Sequence, residues 1–153
     1  HEAMHAWLKE LRGAWPGRDA ALRAWSVASA TAFAKVQPRE AVAALWRRRL
    51  ARIGDFAATQ EEAARGLYAR TVSERNGRLL LPHPRGDVLL KARADRLDLT
   101  GDEGVRVVDY KTGAVPSKKS VEAGTHPQLP LEALIAADGG FENLPKLRAT
   151  ALE

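Results

Sequence analysis

The segment from Lys91 to Lys111 constrains the fold of this chain more than any other stretch. Leu97, Leu99, Val105 and Val107 fall on one face of an alternating pattern, and Arg96, Asp98, Arg106 and Val108 fall on the other. Thr100-Gly-Asp-Glu-Gly104 separates the two runs. Period-two alternation about a glycine-bearing turn predicts a β-hairpin. With Gly101, Asp102 and Glu103 as the loop, Thr100 pairs with Gly104, Leu99 with Val105, Asp98 with Arg106 and Asp95 with Asp109. Directly opposed residues share a face, with Cβ atoms roughly 5 Å apart. This register matches apolar with apolar and Asp98 with Arg106, but it also sets two carboxylates against each other. Such a pair repels unless a proton or a cation lies between its members.

Lys111 lies two residues beyond Asp109 and leaves an extended chain on the same face. Two carboxylates supply the hard oxygen ligands that Mg2+ or Mn2+ takes, and an adjacent ammonium can orient a water or offset charge on a phosphate. The cluster therefore suits metal-assisted phosphodiester hydrolysis. The alternative is that Asp95 and Asp109 are separate surface charges at a strand end and that Lys111 simply begins a loop.

Arg93-Ala-Asp95-Arg96-Leu-Asp98, then Val107-Val-Asp109-Tyr110-Lys111-Thr-Gly113, then Gln128-Leu-Pro-Leu131 occur in that order. The set resembles the nuclease domain of RecB-type enzymes in the PD-(D/E)xK superfamily. The run from Asp109 to Phe141 is most similar to the carboxy-terminal part of AddB-type subunits. The resemblance covers the second half of the chain well and the first half loosely. It implies an α/β (α+β) fold with a restriction-endonuclease-like core. It also implies a Mg2+- or Mn2+-dependent DNA nuclease, an exonuclease of a helicase–nuclease that acts in double-strand break repair and recombination. DNA and an AddA-type helicase–nuclease subunit are the implied partners.

Carried over by position, Asp95 and Asp109 become metal ligands, and the Tyr110 carbonyl completes the shell. Lys111 positions or activates the attacking water, and Gln128 faces the site. His1 best fits the slot of a further metal ligand on an early helix. Arg96, Ser117, Lys118 and Lys119 become DNA contacts. The sequence departs from the pattern at Ala92, where relatives often carry glycine, and at Glu132, where many carry tyrosine. The glycine that usually precedes the histidine is also missing, which suggests a domain entered part-way. Many relatives hold an iron–sulfur cluster on four cysteines; this chain has no cysteine, so no such cluster is expected in this segment.

His1-Glu2-Ala-Met-His5 is a literal His-Glu-x-x-His, the pattern by which a helix binds zinc with the glutamate as base. A zinc protease also needs a third ligand on a later element and a sheet edge for its peptide; the following helices offer Glu40, Glu61 and Glu62 as acids but no convincing ligand helix, so this remains a remote alternative. A nearer one is a catalytically inert DNA-binding or scaffolding module that keeps the nuclease fold. No Gly-x-x-x-x-Gly-Lys-Ser/Thr occurs, so ATP-driven unwinding would belong to other parts of a larger protein or to its partner.

The first half is helical in its spacing. Met4, Trp7, Leu8, Leu11 and Trp15 recur at threes and fours before Pro16-Gly17. A second helix follows from Asp19 to Val36, and a third from Arg39 to about Arg75. The tryptophans fall on the apolar stripes, which makes them core anchors rather than a base-stacking platform. Residues 1–80 hold 14 Lys and Arg against 8 Asp and Glu, whereas residues 81–153 hold 10 against 11. The basic surplus includes Arg47 and Arg48, which suit either a phosphate path or a solvated helix face.

Asn76-Gly77 marks a turn into a three-stranded, mostly antiparallel meander of Leu79–Leu81, Val88–Leu99 and Val105–Tyr110, and a helix runs from about Gln128 to Ala137. Arg148–Leu152 begins a further strand of a truncated core. The 153 residues thus read as one domain, helical and basic over 1–75 and sheet-bearing over 76–153. The sequence shows no membrane span and no signal-peptide pattern, so a cytoplasmic protein without membrane partners is expected.

Overall fold

The computed structural model describes residues 1–11, 15–37, 39–64, 66–111 and 113–153. The chain divides into two compact units, His1–Leu67 and Tyr68–Glu153. The first contains α1 (Glu2–Glu10), α2 (Arg18–Ala34) and α3 (Glu40–Ala64). Trp7 is fully buried, and its indole N–H donates to the Ala21 carbonyl at 2.7 Å. Trp25 meets Trp7 edge to face, with ring centroids 5.7 Å apart, and donates to the Leu50 carbonyl at 2.8 Å. Two indoles therefore join three helices, each with its polar atom satisfied, as expected of core anchors. Gly54 of α3 permits the approach, because a Cβ there would stand 2.1 Å from the Trp25 ring.

The third helix stops well before Arg75. Gly66 takes a φ of 91° just past its end, and β1 (Arg70–Leu81) follows. Thr71 and Val72 favour extended backbone, and pairing along the whole length of β2 (Val88–Leu99) outweighs the helical spacing. Asn76-Gly77 is accordingly not a turn but lies inside β1. Gly77 is there because a Cβ would come within 2.6 Å of the Phe141 ring and 2.7 Å of Ile135. A glycine in a strand can mark close packing as well as a bend.

β3 (Gly104–Val108) pairs antiparallel with β2. The expected hairpin register holds, with Asp98 opposite Arg106, Leu99 opposite Val105, and Thr100 N–H donating to the Gly104 carbonyl at 2.9 Å. Glu103 closes the loop in the left-handed region, with φ at 60°. After β3 come α4 (Lys118–Glu122), α5 (Gln128–Asp138) and β4 (Arg148–Leu152), and β4 lies parallel to β3. The sheet order is β1-β2-β3-β4, so the meander gains the fourth strand that Arg148–Leu152 foreshadows. The architecture is α+β with a mixed sheet.

Leu97, Val105 and Val107 point from one sheet face into the core and are fully buried with Ile135 of α5. Burial of each such side chain contributes about 1.5–3 kcal/mol. On the other face Asp98 is also fully buried. It accepts hydrogen bonds from Thr71 at 2.7 Å, Arg96 Nε at 2.7 Å and an Arg106 terminal nitrogen at 3.3 Å. Arg106 also pairs with Tyr68 and Glu153. Among the described residues, no helix is long and apolar enough to cross a membrane.

Candidate active site

The face of β2 and β3 that carries Leu97, Val105 and Val107 into the core also carries Asp95 and, one residue past β3, Asp109, so the alternation that builds the core also aims both acids. The β2–β3 ladder closes at Arg96 and Val108. Beyond it, Asp109 N–H donates to the Glu153 carbonyl at 2.8 Å, and Tyr110 N–H donates to Asp95 Oδ2 at 2.9 Å. The direct Asp95–Asp109 ladder pair expected from the register is therefore not formed. The chain follows β4 at this point, and Asp95 uses a backbone donor instead. In β1, Glu74 adopts a φ of 52° between the residues paired with Arg96 and Ala94, and its carboxylate takes Arg93 at 2.7 Å.

Helix α5 completes the cluster. Ile135 and Ala136 pack into the core, and one and two turns earlier come Glu132 and Gln128. Gln128 Nε2 donates to Asp109 Oδ1 at 2.8 Å and to Glu132 Oε1 at 3.2 Å, while its Oε1 accepts from Lys111 Nζ at 3.0 Å. Lys111 Nζ also reaches Asp109 Oδ2 at 2.6 Å. The charges dictate this amide orientation, since the reverse would set an oxygen against two acids and an NH2 against an ammonium. Asp109 is nearly buried, at 7% side-chain exposure, and Lys111 stands more open, at 37%.

Glu132 is 2% exposed, and its Oε2 has no hydrogen-bond partner among the described residues. Burial pushes its carboxyl up to about 7 against the pull of the Gln128 N–H; Asp109 and Asp95 raise it further, and Lys111 opposes them. Asp95 and Asp109 offer hard oxygens suited to Mg2+ or Mn2+. Among the described residues no three acidic or histidine side chains form a ready-made ligand set. Mg2+ is commonly held by one or two carboxylates with waters and substrate phosphates, so the donor set fits, and a buried unpartnered carboxylate oxygen beside it suits a cation.

The other expected residues lie as follows. Tyr110 meets Asp95 through its N–H, and its hydroxyl accepts from Arg96 at 3.2 Å. Arg96 is 5% exposed, with its guanidinium turned inward to Asp98 and Tyr110, so it braces the sheet in this arrangement. Ser117 ends the loop and caps α4, accepting the Ser120 N–H at 3.2 Å. Lys118 and Lys119 are exposed on that helix, and Lys118 lies 3.7 Å from Glu122. His1, Arg47 and Arg48 belong to the first unit and are not among the residues the second unit gathers. Arg47 pairs with Glu40 at 3.2 Å, and Glu2 of the His-Glu-x-x-His segment pairs with Lys35.

Glu132 is the residue that sequence reasoning passed over as a mere departure from pattern. Its signal was an acid at i+4 from Gln128 on the stripe that continues into Ile135 and Ala136.

Residues 1–152 match the family model described as the PD-(D/E)XK nuclease superfamily. The chain is 37% identical over 68 residues to an uncharacterized protein of Rickettsia conorii and, with the same figures, to one of Rickettsia felis; these matches cover 44% of this chain and 8% of each relative. It is 42% identical over 48 residues to an uncharacterized protein of Rickettsia bellii, covering 31% of this chain and 6% of that one. The matches thus span 8% or less of the relatives' own length. No solved structure matches the chain.

Proposed function

This chain belongs to the PD-(D/E)XK nuclease superfamily, and we propose that its second unit carries a divalent-metal-dependent deoxyribonuclease centre made by Asp95, Asp109, Lys111 and Gln128. Lys111, Asp109 and Gln128 carry this reading, because three chemically distinct side chains from two elements are locked together at 2.6–3.0 Å. A divalent ion held by Asp95 and Asp109, with the Tyr110 carbonyl as a further donor, would supply charge neutralisation for a phosphodiester. Lys111 donates from its ammonium to a phosphate oxygen or to the attacking water. Gln128 keeps Lys111 and Asp109 in mutual register and presents its amide to the same pocket. Exposed Lys118 and Lys119 supply phosphate contacts beside it.

The ordered motifs further support an AddB-type subunit, an exonuclease that works with an AddA-type helicase–nuclease on double-strand breaks. The test is cleavage of linear DNA, with and without Mg2+ or Mn2+, by the chain and by its Asp109→Ala variant. Metal-dependent cleavage that the variant lacks is expected. Metal binding to the wild type with no cleavage of single- or double-stranded DNA, even beside an AddA-type partner, would favour the inert DNA-binding module.

A further inference from the structure

Glu132 occupies a core-facing position of α5, one turn after Gln128 and one turn before Ile135 and Ala136. A carboxylate at such a position, 2% exposed, needs a partner for each oxygen. Oε1 has the Gln128 amide at 3.2 Å, and Oε2 has no partner among the described residues. The same amide nitrogen donates to Asp109 at 2.8 Å, so a single NH2 group bridges the two acids. A positively polarised centre between two carboxylates does weakly what a cation does strongly. Asp109 and Asp95 both bear electrostatically on the Glu132 carboxyl, and Lys111 is the cation that opposes them.

Resting on the metal-dependent reading above, we propose that Glu132 is a third carboxylate of the cation site, serving the divalent ion beside Asp95 and Asp109 with the oxygen that has no partner among the described residues. With Glu132 ionised, three carboxylates against the Lys111 ammonium leave a surplus of two negative charges, which a divalent ion balances. Gln128 then has a second task, since its amide stands between Glu132 and Asp109 and relieves their repulsion before the ion is taken up. A purely structural residue would not need a charge here, because the neighbouring positions on this stripe are filled by Ile135 and Ala136.

Calorimetric titration of Mn2+ and Mg2+ into the wild-type chain and its Glu132→Gln, Glu132→Ala and Asp109→Ala variants tests this, after each has shown a cooperative metal-free melt. Glu132→Gln keeps an oxygen to accept from Gln128 but carries no charge. It is expected to weaken Mn2+ binding about tenfold or more, and Glu132→Ala no less. A folded Glu132→Gln protein that binds Mn2+ like wild type overturns the proposal; if Asp109→Ala has lost binding in the same series, the two-carboxylate centre stands. Wild-type binding that Asp109→Ala leaves unchanged, or no binding at all, overturns both. If Glu132→Gln does not fold, wild-type protein labelled with 13C at glutamate carboxyls decides the matter. One glutamate carboxyl signal should broaden at substoichiometric Mn2+, and the absence of any such broadening overturns the proposal.

Discussion

Gln128 reaches Asp109 with its amide nitrogen at 2.8 Å and Lys111 with its amide oxygen at 3.0 Å, so one neutral side chain ties the acid to the ammonium. The amide does this because it carries a donor and an acceptor on one planar group, whereas an ionised carboxylate has no donor and an aliphatic chain has neither. Gln128→Leu is therefore expected to slow single-turnover DNA cleavage about 10- to 100-fold. Gln128→Glu should be slower still, since it adds a third acid against Asp109 and Glu132. Wild-type rates in Gln128→Leu would remove Gln128 from the machinery.

Lys111 lies 2.6 Å from Asp109, close enough for its ammonium to compete with an incoming cation. Lys111→Met should abolish measurable cleavage yet leave Mn2+ affinity equal to or tighter than wild type, by the electrostatics of removing a like charge. Calorimetry beside a cleavage assay separates these two effects. Weaker Mn2+ binding in this variant would show that Lys111 holds the site together rather than acting on substrate.

Glu132 makes metal-free stability depend on pH. Its carboxyl titrates near 4.5 in the unfolded chain and near 7 in the fold, chiefly through burial. Between those values the folded protein holds a proton that the unfolded chain has released. The group's contribution is therefore fully present below pH 4.5 and is lost as pH rises through 7, by at most about 3 kcal/mol. Glu132→Gln should match wild type in urea denaturation with chelator at pH 4.5 and exceed it by up to that amount at pH 8. Parallel pH profiles for the two proteins would show that Glu132 does not titrate differently on folding.

The hairpin and its register were legible because alternation, turn length and the Asp98–Arg106 match depend only on neighbours in sequence. Gly77 was misread because its reason lies in Phe141 and Ile135, some sixty residues away, which no local pattern announces. The start of β1 was missed for a similar cause, since Thr71 and Val72 become a strand only when β2 is there to pair with them. Asp95, Asp109 and Lys111 stand out by type and spacing and Gln128 by the family resemblance, and the fold brings Asp109, Lys111 and Gln128 within 2.6–3.0 Å; the burial of Glu132 shows only once the helix is placed. Arg96, a basic residue that the resemblance assigns to DNA, is held by Asp98 and Tyr110, partners that local sequence does not announce.

Gly54 offers a steric test of the first unit. A Cβ at that position would stand 2.1 Å from the Trp25 ring, in a contact that also carries the Trp25 hydrogen bond to Leu50. Gly54→Ala should gain a few tenths to about 1 kcal/mol of helix propensity and lose more than that to overpacking, for a net loss of about 1–3 kcal/mol. A thermal melt showing equal or higher stability would mean that α2 and α3 do not pack through this glycine.

Asp98 is the sharpest test of the second unit's interior. It is fully buried and satisfied by Thr71, Arg96 and Arg106, and Arg96 continues to the hydroxyl of Tyr110, the residue that follows Asp109 in the chain. Removing the acid alone leaves two guanidinium groups facing each other with their shared counter-charge gone. Asp98→Ala should therefore lose about 3–5 kcal/mol in urea denaturation. A buried ion pair is weak evidence of net stabilisation, because its desolvation offsets most of its attraction. A triple variant with Asp98→Leu, Arg96→Met and Arg106→Met should for that reason recover most of the loss. If the triple variant stays as unstable as Asp98→Ala, the charges contribute net stability of their own. If it recovers stability but no longer cleaves DNA, the network serves to hold Tyr110 and the Asp109 segment in place.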